Sequence, residues 1–189
     1  MFPHRLQFRL RGTLRLGDGF DYHRRIMTMS FAAPLPIHTA KVLPSWIDYN
    51  GHMNVAYYVL AFDNATDKLC DLLDIGVEHL KRDNGSIFTL DLRVNYLREV
   101  QEGDPLSFDL QLLDFDAKRM HVFMRMHHAT EGYLSATEEF VTLHVDMTSR
   151  RAAPFPAMTV AMLEAMKSAH AGLPAPPQVG RGLSLRRAP

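Results

Sequence analysis

Three polar side chains at alternate positions, Asp48, Asn50 and His52, precede a long apolar segment. A carboxylate or an imidazole can take a proton from water, and an amide can orient that water or donate to a carbonyl oxygen. Gly51 lets the backbone turn sharply between them. Backbone N–H groups in the first turn of the helix that should follow, near residues 54–57, would hold a carbonyl oxygen as it gains negative charge. This pattern favours hydrolysis of an activated carbonyl.

The same residues also have a structural interpretation. Asp48 and Asn50 are common turn formers that bond their own backbone, and Asn54 alone would serve as a helix N-cap. A histidine in such a loop often makes only a hydrogen bond. Because the three lie together at the mouth of a helix, we interpret them as a catalytic set in which either Asp48 or His52 is the base.

Other catalytic schemes find less support. The sequence has no Gly-x-Ser-x-Gly motif, which argues against a serine hydrolase of that type. Cys70 lies in the apolar run LCDLL and is expected in the core. His121, His127 and His128 come without an accompanying set of ligands, so we predict no metal site.

The catalytic residues must be positioned by the elements on either side. Residues 37–43 read as a short strand closed by Pro44, and residues 54–73 contain no glycine or proline. Apolar side chains recur there at helical spacing and predict a long helix. Aspartates at 63, 67, 71 and 74 form its other stripe, which we interpret as a solvated face, and Gly76 should end the helix.

Strands follow the helix. Residues 86–97, 105–113, 119–127 and 133–146 alternate apolar and polar side chains or lie between turn residues, and residues 159–171 predict a second, shorter helix. The alternation slips between Glu138 and Val141, which indicates a bulge or a strand covered on both faces. A helix with this much apolar surface must be wrapped by the sheet. We therefore predict an α+β fold, a single hot-dog domain with a long central helix wrapped by an antiparallel sheet.

Charge divides the 189 residues into three parts. The formal net charge is zero, but residues 29–171 hold twelve basic and nineteen acidic residues, whereas both ends are basic. We assign residues 1–30 to a poorly defined basic N-terminal extension, 31–171 to the working domain, and 172–189 to an extended tail rich in Pro and Gly. Met27 and Met29 precede the coherent part, so residues 1–28 would be explained by an upstream start codon.

Net charge, the length of apolar runs and the cysteine count restrict the binding partners and the location that we expect. A balanced charge argues against a general nucleic-acid binder. No run of 18 apolar residues exists, so we predict no membrane span. A single cysteine permits no disulfide within the chain and is typical of a reducing compartment, so we expect a cytoplasmic protein.

A family resemblance is carried by several of these segments. The stretch WIDYNGHMNVAYYVLAFDNATD resembles the opening of hot-dog acyl-CoA thioesterases of the 4-hydroxybenzoyl-CoA thioesterase-like superfamily. More narrowly, YLREVQEGDPL, LLDFDAKRMHVF and RRAAPFP are similar to the betainyl-CoA thioesterases of carnitine degradation, which occur alone or fused behind L-carnitine dehydrogenase. The resemblance covers residues 37–182. It implies hydrolysis of a small acyl-CoA, with betainyl-CoA giving glycine betaine and CoA, and no cofactor beyond the CoA of the substrate.

The resemblance also implies roles for the residues. The Asp-x-Asn-x-His arrangement at Asp48, Asn50 and His52 is similar to the one with which plant acyl-carrier-protein thioesterases activate water. In 4-hydroxybenzoyl-CoA thioesterases the working carboxylate would fall at Asn50, and an amide cannot act as base or nucleophile. We expect His52 and Asp48 to activate water, Asn50 to position it, and the amides near Asn54 and Tyr57 to hold the oxyanion.

Substrate-binding residues are expected around the motif and at one turn of the sheet. A trimethylammonium acyl group calls for aromatic faces, which Trp46, Tyr57 and Tyr58 would offer. Lys118 and Arg119, in the turn DFDAKR, are the pair we expect to meet the phosphates of CoA.

Two alternative functions and an assembly state complete the expectations. Hot-dog enoyl-CoA hydratases and dehydratases carry a loop resembling Asp-x-Asn-Pro-x-His, whereas this loop is one residue shorter and lacks the proline, which favours hydrolysis. A module that binds acyl-CoA without turnover is the other alternative. A lone hot-dog domain would leave a long strand edge unprotected, so we expect a homodimer or a dimer of dimers.

Overall fold

A computed structural model describes residues 30–183 of the chain. The predicted N-terminal extension, apart from its last residue, and the start-codon interpretation lie outside these residues. The elements in chain order are β1 (Leu35–Lys41), a short 3-10 helix (Pro44–Trp46), α1 (Val55–Leu72), α2 (Val77–Asp83), β2 (Gly85–Tyr96), β3 (Pro105–Phe115), β4 (Arg119–His128), β5 (Leu134–Asp146), β6 (Arg151–Ala152) and α3 (Ala157–His170).

Helix α1 is the centre of the core. Its residues Tyr58, Phe62, Ala65 and Leu69 are buried, as the helical spacing of the apolar side chains predicted. The side chain of Asn54 accepts a hydrogen bond from the N–H of Ala56 and caps the helix. The aspartate stripe at positions 63, 67, 71 and 74 is exposed in the single chain.

The end of α1 differs from the prediction. The helix stops at Leu72, and Asp74, with φ of 55°, makes the left-handed turn that was expected of Gly76. Gly76 instead precedes α2, where a Cβ would come within 2.5 Å of a carboxylate oxygen of Asp71. Helix α2 was not predicted, because seven residues with one buried side chain, His79, show no helical period.

The sheet is antiparallel and its strands lie in the order β1-β3-β4-β5-β2, with β6 paired to β5. It curls around α1, so alternate side chains of β3, β4 and β5 enter the core. The predicted fold class, an α+β hot-dog domain with an antiparallel sheet around a long helix, is confirmed.

The slip in alternation in β5 has a specific cause. Strand β5 pairs with β4 without a break from Glu138 to Val141, so β5 itself has no bulge there. Where β2 pairs with β5, the register shifts at Leu90, so the extra residue belongs to β2. Residues 135–138 of β5 are all buried, so both faces of the strand are covered there. Across the slip itself burial alternates, with Glu138 and Phe140 buried and Glu139 and Val141 half-buried. Both explanations are therefore wrong for residues 138–141, and the slip reflects a glutamate at an inward-facing position.

The two sides of the sheet end differently. Strand β1 pairs with β3 only as far as Leu110. Beyond that point, Nδ1 of His170 on α3 accepts a hydrogen bond from the N–H of Leu112 at 2.9 Å, and Lys167 on α3 donates one to the carbonyl of Leu113. Helix α3 thus covers the edge of β3 that β1 leaves open. On the opposite side, β2 pairs only with β5, and nothing in residues 30–183 pairs with its other edge.

The described part of the C-terminal segment, residues 172–183, returns to the sheet. Gln111 on β3 donates to the carbonyl of Pro174 at 3.5 Å, and the N–H of Gly180 donates to the carboxylate of Glu139 on β5 at 2.9 Å. Pro176 is buried. These contacts anchor residues that composition alone described as an extended tail.

Candidate active site

The loop between β1 and α1 closes into a tight turn. Ile47 and Met53 form an antiparallel bridge, and the N–H of Asp48 donates to the carbonyl of His52 at 3.1 Å. The N–H of Gly51 returns to the carbonyl of Asp48 at 3.0 Å, and its φ of 83° is one that glycine adopts without strain. The turn therefore places Asp48, Asn50 and His52 together beside the first turn of α1.

The carboxylate of Asp48 is directed at the turn and the helix cap. One oxygen accepts the N–H of Asn50 at 2.8 Å and the other accepts the side-chain amide of Asn54 at 3.4 Å. Asn54 in turn accepts the N–H of Ala56 at 3.0 Å. The turn-forming role that the sequence left open for Asp48 is present, and this chain of bonds fixes the turn to the start of α1.

His52 and Asn50 have more freedom. His52 is half-buried, with Nδ1 3.3 Å from the carbonyl oxygen of Met53, and its Nε2 makes no hydrogen bond within residues 30–183. The Asn50 side chain is exposed and likewise makes none in that part of the chain. Both groups are available to a water molecule or a carbonyl.

The N-terminal amides of α1 are mostly occupied. The N–H of Asn54 donates to Trp46, that of Ala56 to the Asn54 side chain, and that of Tyr57 to the Asn54 carbonyl. The N–H of Val55 has no partner among the described residues. Of the four amides expected to hold an oxyanion, the amide of Val55 is therefore the one left to do so.

The aromatic residues near the motif pack against each other. Trp46 is 8% exposed and stacks on Tyr57 with ring centroids 5.8 Å apart and an angle of 13°. Tyr58 is buried against the edge of Tyr96, 5.2 Å between centroids, and burial raises the pKa of its hydroxyl. These contacts cover one side of each ring that was expected to receive a trimethylammonium group, and Tyr57 remains half-buried.

Lys118 and Arg119 lie far from the motif within one chain. They belong to the turn after β3, whereas the motif lies near the other end of that strand. The eleven residues of β3 span about 35 Å, which is the approximate separation of the pair from the motif. Arg119 also forms an ion pair with Asp116 at 2.6 Å. The pair could meet a substrate held at the Asp48 turn only if it came from a second copy of the chain.

Sequence reasoning missed a pair of carboxylates, Asp63 on α1 and Glu138 on β5. They line a cleft between α1 and β2 together with Val59, Leu92 and Phe140. Burial, with the charge of Asp63, raises the pKa of Glu138 to about 8, and burial together with Asp67 also raises the pKa of Asp63. The slip in alternation at Glu138 was the available signal, because it placed a glutamate on the inward face between Ala136 and Phe140.

The structure also bears on Cys70, on metal ligands and on membrane-spanning helices. Cys70 is buried, and burial raises the pKa of its thiol to about 12. Residues 30–183 contain no group of three or more His, Cys, Asp or Glu side chains arranged to hold a metal ion. No helix in the same range is long and apolar enough to cross a membrane.

Known proteins share this sequence pattern. A family model described as the thioesterase-like superfamily matches residues 42–163. A betainyl-CoA thioesterase from Pseudomonas aeruginosa is 40% identical over 153 residues, which are 80% of this chain and 95% of the relative. A fused L-carnitine dehydrogenase/betainyl-CoA thioesterase from Rhizobium meliloti is 34% identical over 85% of this chain and 32% of its own length.

Solved structures share the fold. A structure from Pseudomonas putida KT2440, assigned to the thioesterases, is 36% identical, covers 82% of this chain and 98% of its own, and has a TM-score of 0.70. A protein from Staphylococcus aureus in complex with CoA has a TM-score of 0.76 at 23% identity, with 84% of this chain and 100% of the other covered.

Proposed function

This chain belongs to the thioesterase-like superfamily, and from that premise we propose that it hydrolyses betainyl-CoA to glycine betaine and CoA. Its class is thioester hydrolase. We propose the betainyl group because both the stand-alone relative and the fused enzymes are betainyl-CoA thioesterases. The chain spans almost the whole of the former and about a third of the latter, so the stand-alone thioesterase is the closer parallel.

The observation that carries the proposal is the turn at the start of α1. The amide of Val55, without a partner among the described residues, lies at the positive end of the helix, and the turn that carries Asn50 and His52 leads directly into it. The Asn50 side chain and Nε2 of His52 make no hydrogen bond within residues 30–183, whereas Nδ1 of His52 lies 3.3 Å from the carbonyl oxygen of Met53. An amide like that of Val55 stabilises an oxygen that becomes negative during attack on a carbonyl. The imidazole can take the proton of the attacking water.

The reaction then balances with water as the only co-substrate. The oxygen of water bonds to the thioester carbon while His52 takes a proton, and the amide of Val55 holds the resulting oxyanion. The carbon–sulfur bond breaks when the oxyanion collapses, and the proton returns to the CoA sulfur. Asn50 orients the water, and Asp48 holds the turn through Asn54.

Free-thiol release from a panel of acyl-CoAs tests the proposal. Betainyl-CoA should be hydrolysed with higher kcat/KM than acetyl-, medium-chain and aromatic acyl-CoAs, and no other cofactor should be required. Addition of water to crotonyl-CoA without thiol release would establish the hydratase alternative. Tight binding of acyl-CoA in calorimetry with no turnover would establish the binding module.

The open edge of β2 supports the homodimer that the sequence predicted. This edge strand carries exposed apolar residues, with Leu90 at 55% and Tyr96 at 49% exposure. An unpaired apolar edge is a template for another strand, and symmetric pairing of two β2 edges would cover it. Such a pair would also bring Lys118 and Arg119 of a second copy toward the CoA side of the site.

Because the proposed substrate is a CoA thioester and the single cysteine of the chain is a free thiol, we place the protein in the cytoplasm.

A further inference from the structure

Tyr96, the last residue of β2, lies at the first turn of α1. Its cross-strand partner is Ala136, which is buried in the core, so the ring is on the inner face of the sheet. The hydroxyl donates to the carbonyl of Val55 at 3.3 Å, and the ring packs at 84° to that of Tyr58, with 5.2 Å between the centroids. The ring is therefore fixed next to the residue whose amide would hold the oxyanion.

Of the four rings packed at this turn, Tyr96 has the largest exposed fraction. It is 49% exposed, whereas Trp46 is 8% exposed, Tyr58 is 4% exposed and Tyr57 is half-buried. The T-shaped contact with Tyr58 covers at most one face of Tyr96. An aromatic face thus remains open beside the start of α1.

No basic side chain within residues 30–183 lies over the ring of Tyr96. Two other rings do have such a partner: Cζ of Arg98 lies 3.7 Å from the centroid of Tyr133, and Cζ of Arg150 lies 5.3 Å from that of Phe88. A ring face attracts a cation because the face carries the negative part of the ring quadrupole. The face of Tyr96 is therefore available to a cation from outside the chain.

We propose, on the basis of the function proposed above, that the open face of Tyr96 binds the quaternary ammonium of the acyl group and makes the enzyme specific for a cationic thioester. Such a cation has no N–H to donate, so it is recognised by aromatic faces and by apolar contact with its methyl groups. The side chain of Val55, 58% exposed, offers apolar surface at the same turn.

The distances fit an acyl group whose carbonyl is held at Val55. The hydroxyl oxygen of Tyr96 is 3.3 Å from the carbonyl oxygen of Val55, and the nitrogen and oxygen of one residue are about 3.5 Å apart, so the hydroxyl is within about 7 Å of the amide nitrogen. In betainyl-CoA one methylene separates carbonyl and ammonium, so the ammonium lies less than about 4 Å from the thioester oxygen. Because attraction extends to about 6 Å from a ring centroid, the ammonium can reach the ring.

The dimer proposed above would border this site. Pairing through β2 uses the N–H and C=O groups of its open edge, whereas the ring of Tyr96 points from the strand toward α1. In a two-fold pair of antiparallel strands, the end of one β2 lies beside the start of the other. The partner would therefore shield the site from bulk water, which strengthens the attraction between a cation and a ring.

Two thioesters that differ only in charge test the role of Tyr96. In 3,3-dimethylbutyryl-CoA a carbon replaces the nitrogen of betainyl-CoA, and the shape is retained. Tyr96→Leu removes the ring and should lower the ratio of kcat/KM for betainyl-CoA over the neutral thioester about fivefold. Tyr96→Phe removes only the hydroxyl and should keep the ratio.

An isosteric comparison separates the charge of the ring face from its volume. Replacing Tyr96 by phenylalanine and then by pentafluorophenylalanine keeps a ring in place, while the fluorines withdraw negative charge from its face. The ratio should fall in the pentafluoro variant as it does in Tyr96→Leu. Because a ring is retained, this comparison stays valid even if Tyr96→Leu folds poorly. Phe88→Leu is the control, since it removes an exposed ring from the opposite face of β2, and it should leave the ratio unchanged.

Each other outcome decides between the two proposals. Equal losses with both thioesters in Tyr96→Leu, or equal ratios with phenylalanine and pentafluorophenylalanine, would assign the ring a packing role and overturn its role in specificity. If the wild-type protein prefers betainyl-CoA and the variants at Tyr96 keep that preference, the proposed function stands and the role of Tyr96 is wrong. If the wild-type protein shows no preference for the cationic thioester, both are wrong.

Discussion

At the scale of single residues, Asp48 and His52 occupy one turn but are held differently. Asp48 accepts two hydrogen bonds that fix the turn to α1, whereas Nε2 of His52 makes none among the described residues. Replacing His52 by Ala should lower kcat about a hundredfold, the usual contribution of a positioned base. Asp48→Ala should also lower kcat about a hundredfold, because it releases the turn that positions His52 beside the Val55 amide. Asp48→Ala should also lower the free energy of unfolding by about 1 kcal/mol, because it removes those bonds.

Thiol-release kinetics and thermal melts measure the two effects separately. Glu78→Ala, which alters a surface ion pair with Lys81, is the control and should change neither value. Near-normal turnover in both Asp48→Ala and His52→Ala would contradict the catalytic assignment. An unchanged melting temperature in Asp48→Ala would contradict its role in holding the turn.

Glu138 should make stability depend on pH. Burial raises its folded pKa from 4.5 to about 8, so the folded protein keeps a proton that the unfolded chain releases between those values. The free energy of unfolding therefore falls as pH rises through that window, and the loss is complete above pH 8. Glu138→Gln removes this group, so the variant should gain stability relative to wild type between pH 5 and pH 9.

Urea unfolding at pH 5 and pH 9 provides the comparison. Glu164→Gln, an exposed position on α3 with no ion-pair partner within residues 30–183, should keep a constant difference from wild type. An equally constant difference for Glu138→Gln would show that the carboxyl of Glu138 titrates at its ordinary pKa.

Residue types predicted the turn but not the cleft. Asp48, Asn50, His52 and Asn54 lie within seven consecutive residues, so their proximity follows from the chain itself. Asp63 and Glu138 are 75 positions apart in the sequence. Their proximity depends on β5 lying next to β2 and on the face of each element, neither of which a local pattern contains.

At the scale of elements, the junction of α2 and β2 depends on Gly85. Nε2 of His79 lies 3.0 Å from Nε2 of His144, and the two Nδ1 atoms face Asp83 and Ala153, so both rings are fixed. A Cβ on Gly85 would come within 2.0 Å of the His79 ring. Gly85→Ala should lower the free energy of unfolding by about 2 kcal/mol, as overpacking of a buried site does.

Denaturant titration measures this change. Gly172→Ala is the matched control, since a Cβ there meets nothing within 4 Å, and it should be nearly neutral. Equal stability of Gly85→Ala and wild type would mean that the His79 and His144 rings can move aside at little cost.

Periodicity explains which elements could be predicted. Helix α1 is eighteen residues long, and β2 to β5 have ten to thirteen residues each, enough to show their periods. Helix α2 and β6 are too short to do so. The order of strands was out of reach as well, because β2 pairs with β5 and not with its neighbour in sequence, β3.

At the scale of the whole molecule, the edge of β2 should control assembly. Leu90→Lys places a charge on this exposed apolar edge and should convert the proposed dimer to a monomer. Val77→Lys, an equally exposed site on α2, should leave the oligomer intact. Light scattering after size-exclusion chromatography at micromolar concentration reports both. A monomeric wild-type protein, or an unchanged mass for Leu90→Lys, would contradict pairing through β2.

The opposite sides of the sheet set how far such assembly can proceed. Strand β1 has seven residues, includes Pro36 and shifts register beside it, and α3 binds the backbone of β3 beyond it. A further strand finds little to pair with there. If β2 pairs with β2 about a two-fold axis, each copy uses its one receptive edge. The assembly is then self-limiting, and the sheet cannot propagate into a fibre.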